Sequence, residues 1–165
     1  MNSTKKIVVV GHFNVGKSSM IRRFVQNEFS DDYMVTIGVH ILKKTVKISS
    51  NDEVALVIWD IEGKEDIQTV RASYLLGTSG FIYVFDPTRI HTYQNLAEEQ
   101  KFLKKNYPKI PMITVANKSD LIDINLFKST IVAGNMQVDY FSSAKTGDNI
   151  ELIFEKLANE MLQKC

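Results

Sequence analysis

The chain carries a single cysteine, Cys165, so no internal disulfide can form, and this usage fits a reducing compartment. Excess charge is missing as well: 20 basic residues against 19 acidic ones leave +1, and no net field draws the protein onto nucleic acid or anionic lipid. No apolar run is long enough to cross a bilayer, and the short polar start, Met1 to Lys6, does not read as a signal peptide. Met1-Asn2 lacks the glycine that myristoylation needs, and Cys165 lacks the three following residues of a prenylation pattern, so it reads as a free terminal thiol or the end of a shortened chain. His12, His40 and His91 show no metal-ligand spacing, and no repeat or low-complexity segment occurs. A secreted, disulfide-stapled or membrane-spanning protein is therefore not expected, nor one that coats nucleic acid. The expectation is a cytoplasmic monomer, with attachment to the periphery of a membrane left open. With 44% apolar and 24% charged side chains, the composition supports one full core, read as one domain over residues 1–165.

Apolar β-branched runs alternate with amphipathic stretches of helical period, which predicts an α/β domain with a six-stranded, largely parallel sheet and helices on both faces. Strands are expected at Lys6 to Val10, Gly38 to Ile48, Val54 to Asp60, Phe81 to Asp86, Met112 to Ala116 and Val138 to Phe141. Helical patterns run Lys17 to Gln26, Gln68 to Leu76, His91 to Asn106, Asn125 to Ala133 and Ile150 to Gln163. Turn residues at Ser49 to Glu53 suggest that the second and third strands form an antiparallel hairpin. The unbroken apolar runs Ile7 to Val10 and Phe81 to Phe85 read as central strands, buried on both faces. Ligands of open α/β sheets sit beyond the carboxyl ends of the strands, which directs attention to the segments after Val10, Asp60, Asp86 and Ala116.

Gly11-His12-Phe13-Asn14-Val15-Gly16-Lys17-Ser18 matches G-x-x-x-x-G-K-[ST] between a predicted strand and a predicted helix, the context that turns this pattern into a phosphate-binding loop. Backbone N–H groups around Gly11, Asn14, Val15 and Gly16 would face a β-phosphate, the helix start at Ser18 and Ser19 adds partial positive charge, and Lys17 would reach the β- and γ-oxygens. Ser18 would place its hydroxyl on Mg²⁺. The loop alone does not name the base, since kinases, ATPases and GTPases all use it.

Asn117-Lys118-Ser119-Asp120 and Ser142-Ser143-Ala144-Lys145 each follow a predicted strand. They resemble the N-K-x-D and S-A-K motifs of the Ras-superfamily GTPases, and the likeness extends from Lys6 to the final helix and is nearest to the Rab branch. The resemblance implies the P-loop NTPase three-layer sandwich of a small GTPase, with GTP or GDP and Mg²⁺ as ligands. It assigns Asp120 to the two N–H donors of guanine, Asn117 to the opposite edge, the Ala144 N–H to the guanine carbonyl, and the Lys118 and Lys145 stems to the ring faces, with Ser143 in the same loop. Adenine would face the Asp120 carboxylate acceptor to acceptor, and such a mismatch can discriminate by roughly ten thousandfold. Phe29 falls where the family packs an aromatic ring on the base, Tyr33 lies in the first switch, and Thr36-Ile37-Gly38 supplies the second hydroxyl for Mg²⁺ through Thr36. Trp59-Asp60-Ile61-Glu62-Gly63 resembles Trp-Asp-Thr-Ala-Gly of the second switch, with Asp60 on Mg²⁺ through a water and the Gly63 N–H on the γ-phosphate.

The chain departs from this pattern where hydrolysis is decided. Lys64 stands where the family has a water-orienting glutamine, and a lysine has donors but no acceptor. Glu62 replaces a small residue near the γ-phosphate, where its charge calls for neutralisation by Lys64 or a metal, and either side chain could instead act on water or phosphate. Phe13 replaces a small residue and would obstruct an arginine supplied by an activating partner. Ile41, Trp59 and Tyr74 fall at the family's aromatic trio, which implies a face for effector and exchange proteins. The resulting reading is a Mg²⁺-dependent GTP/GDP switch that hydrolyses GTP slowly, with Lys17, Glu62, Gly63 and Lys64 as its catalytic candidates. The alternative is a GTP-binding adaptor with negligible hydrolysis; a small-molecule kinase is disfavoured by the guanine motifs.

Overall fold

The computed structural model describes residues 3–163 except 33, 51 and 65. Six strands form one sheet in the order β2-β3-β1-β4-β5-β6: β1 (Ser3–Val10), β2 (Val39–Lys47), β3 (Glu53–Ile61), β4 (Gly80–Phe85), β5 (Met112–Ala116) and β6 (Tyr140–Phe141). Only β2 runs antiparallel to its neighbour, pairing Val39 with Ile61 and Lys47 with Glu53 across the expected hairpin. The unbroken apolar runs behave as expected of central strands: Ile7 to Val10 and every residue of β4 are buried.

Helices cover both faces, as the sheet requires if neither apolar face is to meet water. On one side α1 (Lys17–Gln26) and α5 (Ile150–Gln163) pack together, with the Phe24 and Phe154 rings stacked at 4.0 Å between centroids. Full burial of such a side chain stabilises the fold by about 1.5–3 kcal/mol. On the other side lie α2 (Ala72–Leu75), α3 (Leu96–Asn106) and α4 (Ile124–Ala133), where Phe85, Tyr93, Phe127 and Phe141 build an aromatic cluster, with Tyr93 and Phe141 edge-on to Phe127. Asp123 caps α4 by accepting from the Asn125 and Leu126 N–H groups, which fixes its start.

Helices α1 and α5 coincide with their predicted spans, but the pattern over Gln68 to Leu76 yields only a 3₁₀ turn, Ile67–Thr69, and the single turn α2. Asp66 takes the Gln68 N–H onto its side chain, and Val70 between the two pieces is extended. The helical pattern from His91 likewise begins as a 3₁₀ turn, Ile90–Thr92, and the α-helix starts only at Leu96, because the Thr92 hydroxyl bonds back to Asp86 and Arg89. β2 begins at Val39, one residue late, since Gly38 adopts a φ of 73°. The last strand is shorter than Val138 to Phe141.

Candidate functional site

The loop from Gly11 to Gly16 joins the carboxyl end of β1 to the start of α1, whose first turn has no side-chain cap and presents its N–H groups outward. Gly16 has a φ of 98°, and a Cβ there would lie 2.2 Å from the Asn117 amide nitrogen. That amide donates to the Val15 carbonyl at 3.0 Å, so the base-side motif and the phosphate loop are tied together directly. Lys17 is buried and donates to the Gly11 and His12 carbonyls at 3.0 and 2.6 Å. Burial pushes its ammonium down to about 8, against the pull of Asp60. Phe13, Asn14, Gly16, Lys17, Ser18, Ser19, Thr36 and Gly63 line one depression, with Phe13 44% exposed at its rim.

Ser18, Thr36 and Asp60 converge from α1, the loop before β2 and the end of β3. The Ser18 hydroxyl lies 2.9 Å from that of Thr36 and donates to Asp60 Oδ2, and the Thr36 hydroxyl is 3.5 Å from the same oxygen. Asp60 Oδ1 is buried and has no hydrogen-bond partner among the described residues. Burial pushes this carboxyl up, opposed first by the Ser18 hydrogen bond and then by Lys17, His40 and Thr36. An orphaned carboxylate oxygen beside two hydroxyls is the hard oxygen donor set that Mg²⁺ accepts, so these residues fit the metal.

A second cavity of about 290 Å³ joins the first through Asn14, Gly16 and Ser19 and is walled by Phe29, Asn117, Lys118, Asp120, Ala144 and Lys145. Asp120 takes the Ser143 hydroxyl on one oxygen at 2.7 Å. The Asn117 side-chain oxygen Oδ1 accepts from the Ser142 hydroxyl and, at 3.2 Å, from the Ala144 N–H, the group assigned above to guanine. Lys118 donates to the Asn14 carbonyl at 2.7 Å and makes a 3.0 Å ion pair with Asp86, without hydrogen-bond geometry at that oxygen. Phosphate and base motifs thus form one continuous groove at the carboxyl edge of the sheet.

Between the switches the geometry departs from the charge problem posed above. The Glu62 N–H donates to the Gly38 carbonyl at 2.9 Å, and the Gly38 N–H returns a bond to Glu62 Oε2 at 3.2 Å. Glu62 Oε1 lies 2.7 Å from Lys64 Nζ. The two side chains neutralise each other, and together with the Gly38 N–H they hold the Glu62 carboxyl below its ordinary value. Gly63 sits against the phosphate loop, where a Cβ would come within 2.5 Å of the Phe13 nitrogen, and the Lys64 N–H donates to the Gly11 carbonyl at 3.3 Å. Tyr33, placed by sequence in the first switch, lies outside the described residues, as does Cys165.

Ile41 and Trp59 are register partners on β2 and β3, Ile41 is half exposed, and the Trp59 and Tyr74 rings lie 6.2 Å apart. Lys6 Nζ lies 3.7 Å above the Trp59 ring. Met34, Val35 and Ile37 extend this exposed apolar region toward the first switch.

Two arginines beside the groove were not singled out from sequence. Arg23 of α1 donates to the Ala144 and Lys145 carbonyls at 2.8 and 2.6 Å and so holds the Ser-Ala-Lys loop. Arg89, after β4, donates to the Phe13 and Asn14 carbonyls at 3.0 and 3.1 Å. Neither belongs to a contiguous motif, and only the fold brings them to these loops.

Comparison with known proteins agrees with the geometry. The Ras family model matches residues 6–163. Ras-related protein Rab-1 of Theileria annulata is 35% identical, over 96% of this chain and 74% of that protein. Ras-related protein SEC4 of Saccharomyces cerevisiae is 32% identical over 99% and 77%, and Ras-related protein Rab-25 of Homo sapiens 33% over 99% and 78%. The chain belongs to the Ras family of small GTPases, the guanine-nucleotide-binding switches, and is Rab-like.

Proposed function

We propose that this GTPase is a Mg²⁺-dependent switch whose hydrolysis step is slow, and that it recruits effectors while GTP is bound. The observation that carries the slow step is the engagement of Glu62 with both Lys64 and the Gly38 N–H. Attack on a γ-phosphate needs a water held by an acceptor. Lys64 has none, and the Glu62 carboxylate, held ionised by its two partners, is a weak base whose oxygens already accept.

Lys17 would follow the phosphates from its present bonds to the Gly11 and His12 carbonyls, regaining full charge once phosphate oxygens replace lost water. Gly63 already lies against the loop, so its N–H has a short distance to travel to a γ-phosphate. Ser18, Thr36 and Asp60 would hold Mg²⁺, which would supply positive charge to the nucleotide phosphates when bound. Asp120 would read the guanine N–H donors with the oxygen that Ser143 leaves, and the stems of Lys118 and Lys145 would flank the ring. Ala144 must release Asn117 to meet the guanine carbonyl. The face around Ile41, Trp59 and Tyr74 is proposed for effectors and exchange proteins, because it joins both switches.

The variant Glu62→Ala/Lys64→Gln restores the family pattern at both positions and should hydrolyse bound GTP about tenfold faster, equal to about 1.4 kcal/mol of barrier. A double variant slower than its parent in single turnover, at equal GTP affinity, would make Glu62 and Lys64 themselves catalytic and refute the slow-switch reading. The exposed bulk of Phe13 favours a second reading, in which no partner supplies an arginine and the protein acts as a GTP-loaded adaptor.

A further inference from the structure

We propose that Arg89 is a positioning residue for the phosphate loop, orienting from outside the N–H groups that face the β-phosphate; the proposal rests on the guanine-nucleotide reading above. A trans peptide unit is planar, with its carbonyl and N–H pointing in opposite directions. The Phe13 carbonyl shares its plane with the Asn14 N–H, and the Asn14 carbonyl shares its plane with the Val15 N–H. Arg89 Nη1 takes both carbonyls, at 3.0 and 3.1 Å, and Lys118 takes the second again at 2.7 Å. With both carbonyls held on the outer side, both N–H groups must face the opposite side, where Asn14, Gly16 and Lys17 line the depression. Cationic donors on the carbonyls also polarise these peptide units and strengthen the N–H groups as donors.

The bracket that delivers Arg89 is rigid. Asp86, buried at the end of β4, accepts on Oδ1 from the Thr88 N–H and hydroxyl, while the Asp86 carbonyl accepts from the Arg89 N–H. The Thr92 hydroxyl ties the Asp86 backbone from the far side of the turn. Arg89 Nη2 lies 3.0 Å from His91 Nε2, and Nη1 lies 3.9 Å from Asp86 Oδ2, so the guanidinium is held from behind as well. This support falls on a turn residue: Asn14 has a φ of 56°, in the left-handed region that asparagine tolerates better than most non-glycine residues, and the two carbonyl contacts hold it there. Nη1 carries two hydrogens and serves both carbonyls while Nη2 is engaged at His91, so the planar guanidinium is fixed at two nitrogens, which a lysine's single ammonium reproduces only in part.

The test uses the full chain loaded with a fluorescent GDP and, separately, with GDP for phosphorus NMR. Arg89→Met keeps the stem and removes the donors; Arg89→Gln, which retains an N–H donor, serves if the first variant does not fold. GDP should leave Arg89→Met about tenfold faster than the parent, the loss expected for charge-assisted hydrogen bonds, with Arg89→Lys in between. The resonance of the bound β-phosphate should move, while the preference for GDP over ADP stays parental, because the base cavity does not use Arg89; a general loosening would change that preference too. A parental release rate with an unmoved β-phosphate resonance in a GDP-binding variant would overturn the proposal alone. A parent that binds no GDP would overturn the nucleotide reading and this proposal with it.

Discussion

Asp120 has one carboxylate oxygen engaged by Ser143 and lines the second cavity, and on the proposed function its other oxygen would meet the guanine donors. An asparagine in its place inverts one hydrogen-bonding position from acceptor to donor. Asp120→Asn should weaken GTP binding by a hundredfold or more, roughly the cost of unpaired buried polar groups, and raise relative affinity for xanthine nucleotides, which carry a carbonyl there. Competition of xanthosine and guanosine diphosphates against a fluorescent nucleotide checks this, and an unchanged ranking would contradict it. A second residue governs stability. Burial pushes the Glu99 carboxyl above its ordinary 4.5, with the Tyr83 hydroxyl and the Ile67 N–H pulling it back less. The folded chain therefore holds this proton longer than the unfolded chain does, so the contribution of Glu99 is full below 4.5 and is lost as pH rises through the raised value. Glu99→Gln keeps a neutral acceptor for Tyr83, so its Tm should gain on the parent's as pH rises from about 4.5 to about 7. A constant difference across that range would show that Glu99 does not titrate there. The nucleotide motifs were legible because phosphate loop, Asn-Lys-Ser-Asp and Ser-Ala-Lys are each a few consecutive residues whose chemistry depends on local backbone. Arg89 was not, since its partner Phe13 lies 76 positions away.

At the level of elements, the Gly38 and Glu62 pair extends the ladder of β2 and β3 by one rung, with a side-chain carboxylate in place of the second carbonyl. This rung joins the two switches through protein groups alone, before any γ-phosphate is considered. In the GDP-bound parent the Gly38 amide should accordingly exchange slowly, and Glu62→Ala should speed its exchange by about tenfold, as expected on losing a charged hydrogen bond. Lys64→Met, which removes the ion pair and leaves the carboxylate, should produce a smaller increase. Equal exchange in all three proteins, followed by proton–deuterium NMR, would show that the rung does not persist in solution. Sequence placed Glu62 and Lys64 next to the phosphate but could not orient them, because Gly38, the partner that fixes Glu62, lies 24 positions away in the loop just before β2. The helical pattern at Gln68 to Leu76 misled for a local reason: its apolar positions suit a helix, yet the Asp66 side chain and the extended Val70 divide it.

Across the whole molecule, the parallel core brings four loop regions from distant parts of the chain to one edge of the sheet, and that is why a nucleotide can be read at both ends by rigid elements. The central strands and the hairpin of β2 and β3 were legible from the apolar runs and the turn residues, whereas the contacts among the loops depend on side chains that periodicity does not describe. Trp59, next to Asp60 in sequence and packed under Lys6 beside Tyr74, is adjacent to the proposed metal site and is therefore a local reporter of it. Exchange of GDP for a non-hydrolysable GTP analogue in Mg²⁺ should alter its emission, and Thr36→Ala should reduce the change by removing a hydroxyl from the Mg²⁺ set. Identical spectra in both states would argue against a switch that reaches β3. The central claim, a Mg²⁺-dependent GTPase slowed by the Glu62 and Lys64 pair, is tested most directly by single-turnover hydrolysis of GTP bound to the unaltered protein, with and without Mg²⁺. The account predicts a Mg²⁺-dependent rate at or below the intrinsic Ras scale of about 3–5 × 10⁻⁴ s⁻¹. A rate near about 10⁻² s⁻¹, the scale reached by GTPases that carry a catalytic arginine of their own, would contradict it.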